Sequence, residues 1–176
     1  RDSLSIKGLQ ESDEKPLWLL KGGKYEILDS RISWQDLKRQ TAVVFFDDID
    51  LVLKNHYFDQ SHELHLLSKL PQQYGDSLRI SARMKGDVFA ANDIEGELYI
   101  EGTDLQANAL VNGDLPLGLN IQSGAGDLHV WSFWRNSSPY QVVGYVQAQQ
   151  IKISKNQSKP LAMDTFEGSF NWSDQD

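Results

Sequence analysis

The amino-acid sequence predicts an all-β fold, an antiparallel meander forming a curved, groove-like or open-barrel sheet with at most one or two short helices. Two clean alternations carry that prediction. In residues 77–85, Leu78, Ile80, Ala82 and Met84 oppose Arg79, Ser81, Arg83 and Lys85. In residues 94–101, Ile94, Gly96, Leu98 and Ile100 oppose Glu95, Glu97, Tyr99 and Glu101. Side chains on a strand point alternately to its two faces, so each segment has one apolar and one polar face. The polar faces carry opposite charge, which favours pairing the two segments side by side. The third observation is how rarely helical spacing occurs. Only residues 103–111 offer it, with Thr103 as cap, Leu105, Ala109 and Leu110 at helical spacing, and Gly113 to end the turn.

The remaining elements follow in order. Residues 3–9 alternate weakly through Leu4 and Ile6 and suit an edge strand. Leu17 to Leu20, the Gly22-Gly23 pair and Lys24 to Leu28 make a hairpin signal. Asp29-Ser30 is expected to turn the chain again before Arg31 to Trp34. Residues 35–40 are polar and suit one helical turn or a loop.

Residues 41–54 form the longest extended stretch, roughly 45 Å at about 3.3 Å per residue. Strict alternation groups Val43, Phe45, Ile49, Leu51 and Leu53 on one face, interrupted by Asp47. It puts Ala42, Val44, Phe46 and Val52 on the other, broken by Asp48 and Asp50. So long a strand predicts a bulge or bend near Asp47-Asp48. A strand over 62–69 points Leu64 and Leu66 inward and ends before Pro71. After a strand at 115–122, Ser123-Gly124-Ala125-Gly126 reads as a glycine-rich turn. Beyond it Leu128, Val130, Ser132 and Trp134 share one face and His129, Trp131 and Phe133 the other. Residues 140–153 alternate loosely. Phe166, Phe170 and Trp172 share a face of the last strand. One helix cannot cover so many apolar strand faces. The sheet therefore closes into a barrel, doubles into a sandwich, or leaves its apolar side to a ligand.

Composition narrows the function. The chain has 176 residues, 40% of them hydrophobic, which suits a single domain over 1–176. Its 17 Lys and Arg against 25 Asp and Glu give a formal charge of −8, which argues against nucleic acid as a partner. With no cysteine, disulfides, thiolate metal sites and a cysteine nucleophile are excluded. No apolar run approaches the roughly 20 residues of a membrane-spanning helix, and no stretch reads as a signal peptide. The sequence starts at Arg1 rather than Met and ends on Ser173-Asp174-Gln175-Asp176. It reads as a piece of a longer protein, with any anchor outside it.

No motif points to catalysis or to a cofactor. His62 and His65 sit three apart on an expected strand, hence on opposite faces, and do not make a zinc pair. Asp47, Asp48 and Asp50 lack the spacing and glycine of a calcium loop. A glycosidase built on Asp47 or Asp50 would need two carboxylates facing one cleft; the simpler account is charge that protects a bulge or sheet edge. Gly124-Ala125-Gly126 lacks the third glycine and the helix of a dinucleotide site. The last third is crowded with aromatic residues, Trp131, Phe133, Trp134, Phe166, Phe170 and Trp172. These can fill a core, line a lipid groove or stack on sugars. The sugar-stacking alternative is a carbohydrate-binding β-sandwich module using Trp131, Trp134 and Trp172.

One resemblance spans nearly the whole chain. Ser123-Gly124-x-Gly126-Asp127-Leu128-x-Val130-Trp131-x-x-Trp134, then the long strand to Ile153, then Phe166-x-Gly168-x-Phe170-x-Trp172 resembles the YhdP branch of the AsmA-like bacterial envelope proteins. Gly23-x-Tyr25-x-Ile27-x-Asp29-Ser30-x-Ile32-x-Trp34, Leu64-x-Leu66 leading to Leu70-Pro71, and Gly96-Glu97-Leu98-Tyr99 leading to Asp104-Leu105 are similar to the same family's recurring strand pairs, in the same order. The resemblance implies a build like that of TamB and the bridge-like lipid-transfer proteins: a long curved sheet with an apolar inner groove. It implies a bacterial periplasmic protein anchored in the inner membrane by an N-terminal helix absent from this sequence. The function it implies is non-enzymatic movement of phospholipid between inner and outer membrane. No catalytic residue, metal or cofactor comes with it. The residues expected to line the groove are Leu78, Ile80, Met84, Ile94, Leu98, Ile100, Leu128, Val130, Trp134, Phe166, Phe170 and Trp172.

Overall fold

The structure is a computed structural model and describes residues 3–4, 23–35, 43–56, 58–86, 93–110, 119–155 and 158–174. Among the described residues nine strands lie in one sheet in sequence order, so each pairs with the described strands next to it in the chain. They are β1 (Ser3–Leu4), β2 (Gly23–Trp34), β3 (Val44–His56), β4 (Ser61–Lys69), β5 (Ser77–Lys85), β6 (Glu95–Gln106), β7 (Leu119–Arg135), β8 (Ser138–Lys155) and β9 (Leu161–Ser173). The two residues of β1 pair parallel with Arg31 and Ile32 of β2. The other eight strands form an antiparallel meander. Its end strands do not pair with each other, so the sheet is open and not a barrel. Both the all-β prediction and the meander hold. The strand expected at 17–20, the segment at 36–40 and residues 115–118 of the strand expected at 115–122 lie outside the described residues, while 119–122 belong to β7.

Four expectations change, three of them for one reason. Asp29, Asp48 and Asp104 have φ of 45°, 48° and 48°, the left-handed region that aspartate tolerates better than most residues. Each coincides with a shift in strand register, so each marks a β-bulge, one extra residue against the neighbouring strand. Asp29-Ser30 is therefore not a turn, and β2 runs through it to Trp34. The bulge expected near Asp47-Asp48 is present. Its effect is to regroup β3, so that Val44 and Phe46 join Ile49, Leu51 and Leu53, while Phe45 joins Asp47, Asp50 and Val52 on the opposite side. The segment from Thr103 to Gln106 stays in β6, bulged at Asp104, and among the described residues the helix α1 covers Ala107–Leu110. The glycine-rich segment 123–126 lies inside β7 rather than in a turn.

Paired residues on adjacent strands point to the same side of a sheet. The register therefore defines two faces. One carries Tyr25 and Ile27, Leu51 and Leu53, Leu64 and Leu66, Ile80 and Ala82, Leu98 and Ile100, Val130, Val142 and Val146, and Phe170 and Trp172. The other carries rows of charge. Arg83 lies between Glu63 (3.5 Å) and Glu97 (3.4 Å), and Arg79 lies 3.5 Å from Glu101. These pairs are exposed and orient the side chains more than they stabilise the sheet.

Glycine is required where strands approach closely. A Cβ on Gly126 of β7 would run into the Gln147 carbonyl oxygen and Ala148 Cα of β8. Both obstacles are backbone and cannot rotate away. Gly126→Ala is expected to lower the urea midpoint with an unchanged slope, by about 1–3 kcal/mol in stability. Equal stability of the two proteins would show that β7 and β8 are not packed as described.

Candidate functional site

The apolar face is the larger candidate. Of the twelve expected groove residues, Leu78, Ile80, Met84, Leu98, Ile100, Leu128, Val130, Trp134, Phe166, Phe170 and Trp172 all fall on it. Ile94 lies just before β6, its carbonyl accepting from the Ser137 N–H and its own N–H donating to Ser137 Oγ in the β7–β8 turn. The bulge at Asp48 adds Val44 and Phe46, which strict alternation had put on the face opposite Ile49, Leu51 and Leu53. The three aspartates expected to break both faces of β3 do not interrupt this surface. Asp47 pairs with Arg31, the Asp50 carboxylate accepts the Asp29 N–H at 2.9 Å, and Asp48 lies 2.6 Å from Lys69 Nζ. Asp48 also raises the Lys69 pKa above its ordinary value, through their hydrogen bond and then their charges. These partners give all three carboxylates structural roles.

Among the described residues, little protein covers the apolar face. Among the described residues the buried hydrophobic side chains are Val44, Ile49, Ala82 and Ile151, and no large side chain is fully buried. At the β9 edge Phe166, Phe170 and Trp172 are 43–48% exposed. The Phe170 ring lies over Gly144 of β8, a cross-strand packing of aromatic on glycine that steadies an otherwise bare strand.

The three tryptophans of the sugar-stacking alternative do not share a surface. Trp134 and Trp172 pair with Gly96 and Val142 on the apolar face, whereas Trp131 pairs with Tyr99 on the polar one. Trp134 Nε1 is buried without a partner. The single open sheet is also not the β-sandwich of that alternative.

The polar face carries a second arrangement, which alternation alone did not reveal. Tyr99, His129, Trp131 and Tyr145 come from three strands and meet there. The Tyr99 ring lies 4.9 Å from that of Trp131, and His129 stacks on Trp131 at 15° and 6.2 Å. The Tyr99 hydroxyl donates to Glu101 at 3.0 Å and lies 2.9 Å from His129 Nδ1. A phenol has one proton, so with that proton on Glu101, Nδ1–H of His129 is the donor to the hydroxyl oxygen. Burial, then the Glu101 hydrogen bond, push the Tyr99 pKa up. On the next strand the Tyr145 hydroxyl donates to Glu167 at 2.7 Å, which raises its pKa above the ordinary value.

His62 and His65 lie on opposite faces, as expected. His62 Nδ1 contacts Asn55 Oδ1 at 2.7 Å and His65 Nδ1 contacts Ser81 Oγ at 3.2 Å. Among the described residues no group of three or more His, Asp or Glu side chains is placed to hold a metal ion. No described helix is long and apolar enough to cross a membrane. Comparison with protein-family models, curated proteins and solved structures yields no match.

The Tyr145–Glu167 bond is between adjacent strands and depends on the phenolic proton. Its contribution is fully present below the ordinary phenol pKa of 10.0 and is lost as the pH rises through the higher native value. In an ultraviolet titration Glu167→Gln is expected to bring the Tyr145 ionisation back down toward pH 10. A curve unchanged by the substitution would contradict the contact.

Proposed function

We propose that this chain is a non-enzymatic lipid-binding segment whose apolar sheet face holds phospholipid acyl chains. In the longer envelope protein that the family resemblance implies, it would form part of a path between the inner and outer membranes across the bacterial periplasm. One observation carries the reading: apolar side chains from eight strands share one face, and the described residues supply no second layer for it. Such a face must meet something other than water. A hydrocarbon chain suits it well. Burial of each methylene is worth about 0.8 kcal/mol, so a dozen give roughly 10 kcal/mol before ordering costs. No directional contacts are needed for that gain, and the face offers few polar groups.

Mass spectrometry of solvent extracts from the purified chain is the direct test, with phospholipid as the expected find. Leu98→Asp places a carboxylate in the middle of the face, where acyl chains would have to desolvate it. It is expected to reduce bound lipid about tenfold or more, a change of roughly 1.4 kcal/mol per decade, with the circular dichroism of the sheet retained. Lys24→Gln on the polar face should leave lipid content unchanged. Lipid-free protein that buries this face in a dimer, or equal lipid in Leu98→Asp, would overturn the reading.

A further inference from the structure

The polar face has a depression of about 240 Å³ that the lipid reading does not use. Its origin is a row of side chains of unequal size. Across the sheet, His65, Ser81, Tyr99 and Trp131 are register partners. Ser81 is the smallest of them, and the surface sinks there. Along the same side Arg83, Glu97 and Phe133 form a neighbouring row, and these walls surround the dip.

The walls are held in place before any ligand arrives. Arg83 is drawn between two carboxylates, and Trp131 is braced by Tyr99 and His129 while remaining 41% exposed. An exposed indole with fixed hydrogen-bonding groups beside it offers two kinds of contact. The ring provides a flat apolar surface, and the carboxylate and guanidinium provide paired acceptors and donors. A pyranose is the ligand chemistry that uses both, its C–H face on the ring and its hydroxyls on the polar groups. The volume lies below the roughly 300–1,000 Å³ of drug-sized sites, which fits one sugar ring and not a lipid tail. Glu63 and Glu97 outnumber Arg83 at the dip, so local charge disfavours an anionic ligand.

We propose that this depression binds a neutral saccharide, with one ring stacked on Trp131 and its hydroxyls bonded to Glu97 and Arg83. The site lies on the side opposite the acyl-binding face and works whether or not that face carries lipid. Because preorganised side chains lose little freedom on binding, even a small contact area is useful.

The test is a nuclear magnetic resonance titration of the whole chain with chitotetraose and, separately, maltotetraose. At least one should shift the Trp131 indole signal and the amides around Ser81 and Glu97, with a Kd of about 1 mM. Trp131→Ala should weaken binding tenfold or more, Trp131→Phe should retain part of it, and Glu97→Gln should weaken it severalfold. Phe45→Ser, elsewhere on the polar face, should leave it unchanged. Absence of shifts with both sugars at ~10 mM, about ten times the expected Kd, would overturn the proposal. So would shifts confined to the apolar face, or a response to octa-arginine alone, which would make the dip a docking point for cationic peptide.

Discussion

Register in β2, β3 and β6 depends on three aspartates that take a left-handed backbone, Asp29, Asp48 and Asp104. A slip of one residue exchanges the two faces of every strand beyond it. Each bulge absorbs one residue and returns the following segment to the side it would otherwise leave. Two of the three are fastened alike. The Asp29 N–H donates to Asp50, and the Asp104 N–H donates to Asp127, both at 2.9 Å. A carboxylate acceptor makes these stronger than bonds between neutral groups. The three aspartates therefore keep the apolar side continuous through β2, β3 and β6, and Gln150, with φ of 51°, marks a further register shift in β8.

The two faces then take different chemistry. On the polar face, Arg79, Arg83, Glu63, Glu97 and Glu101 alternate in sign across neighbouring strands and specify pairing partners. Like charges set opposite one another would penalise a shifted register. The apolar face has no such marks and, among the described residues, no fully buried large side chain. A face that the described residues leave without a second layer suits a ligand that is long, apolar and variable. A fixed protein partner would be expected to present matching polar rims.

Much of this was legible in the sequence. Leu78 to Met84 and Leu98 to Ile100 are regular, and the structure keeps both alternations and their pairing. The bulges were harder to see because an extra strand residue makes positions i and i+3 share a face, which is also what a helix does. Gly102 and Leu105 flank Asp104 in this way, so residues 103–111 looked helical although Thr103 to Gln106 belong to β6. Ile27 and Ser30 flank Asp29 likewise and looked like the two sides of a turn. The Asp48 bulge was predictable only because β3 was too long to stay regular. The meeting of Tyr99, His129 and Trp131 depends on which strands become neighbours, and alternation within a strand carries no record of that.

The central claim is that one face of the sheet accepts acyl chains and the other does not. The chain has no cysteine, so a single introduced cysteine gives each variant one spin label at a known position. Ile80→Cys and Leu98→Cys place it on the apolar side, and Arg79→Cys and Glu97→Cys place it on the polar side. Addition of a short-chain phosphatidylcholine below its micelle concentration is predicted to immobilise the first pair and leave the second pair mobile. Equal responses on the two sides, or apolar-side labels already immobile and closed to oxygen without lipid, would contradict the account.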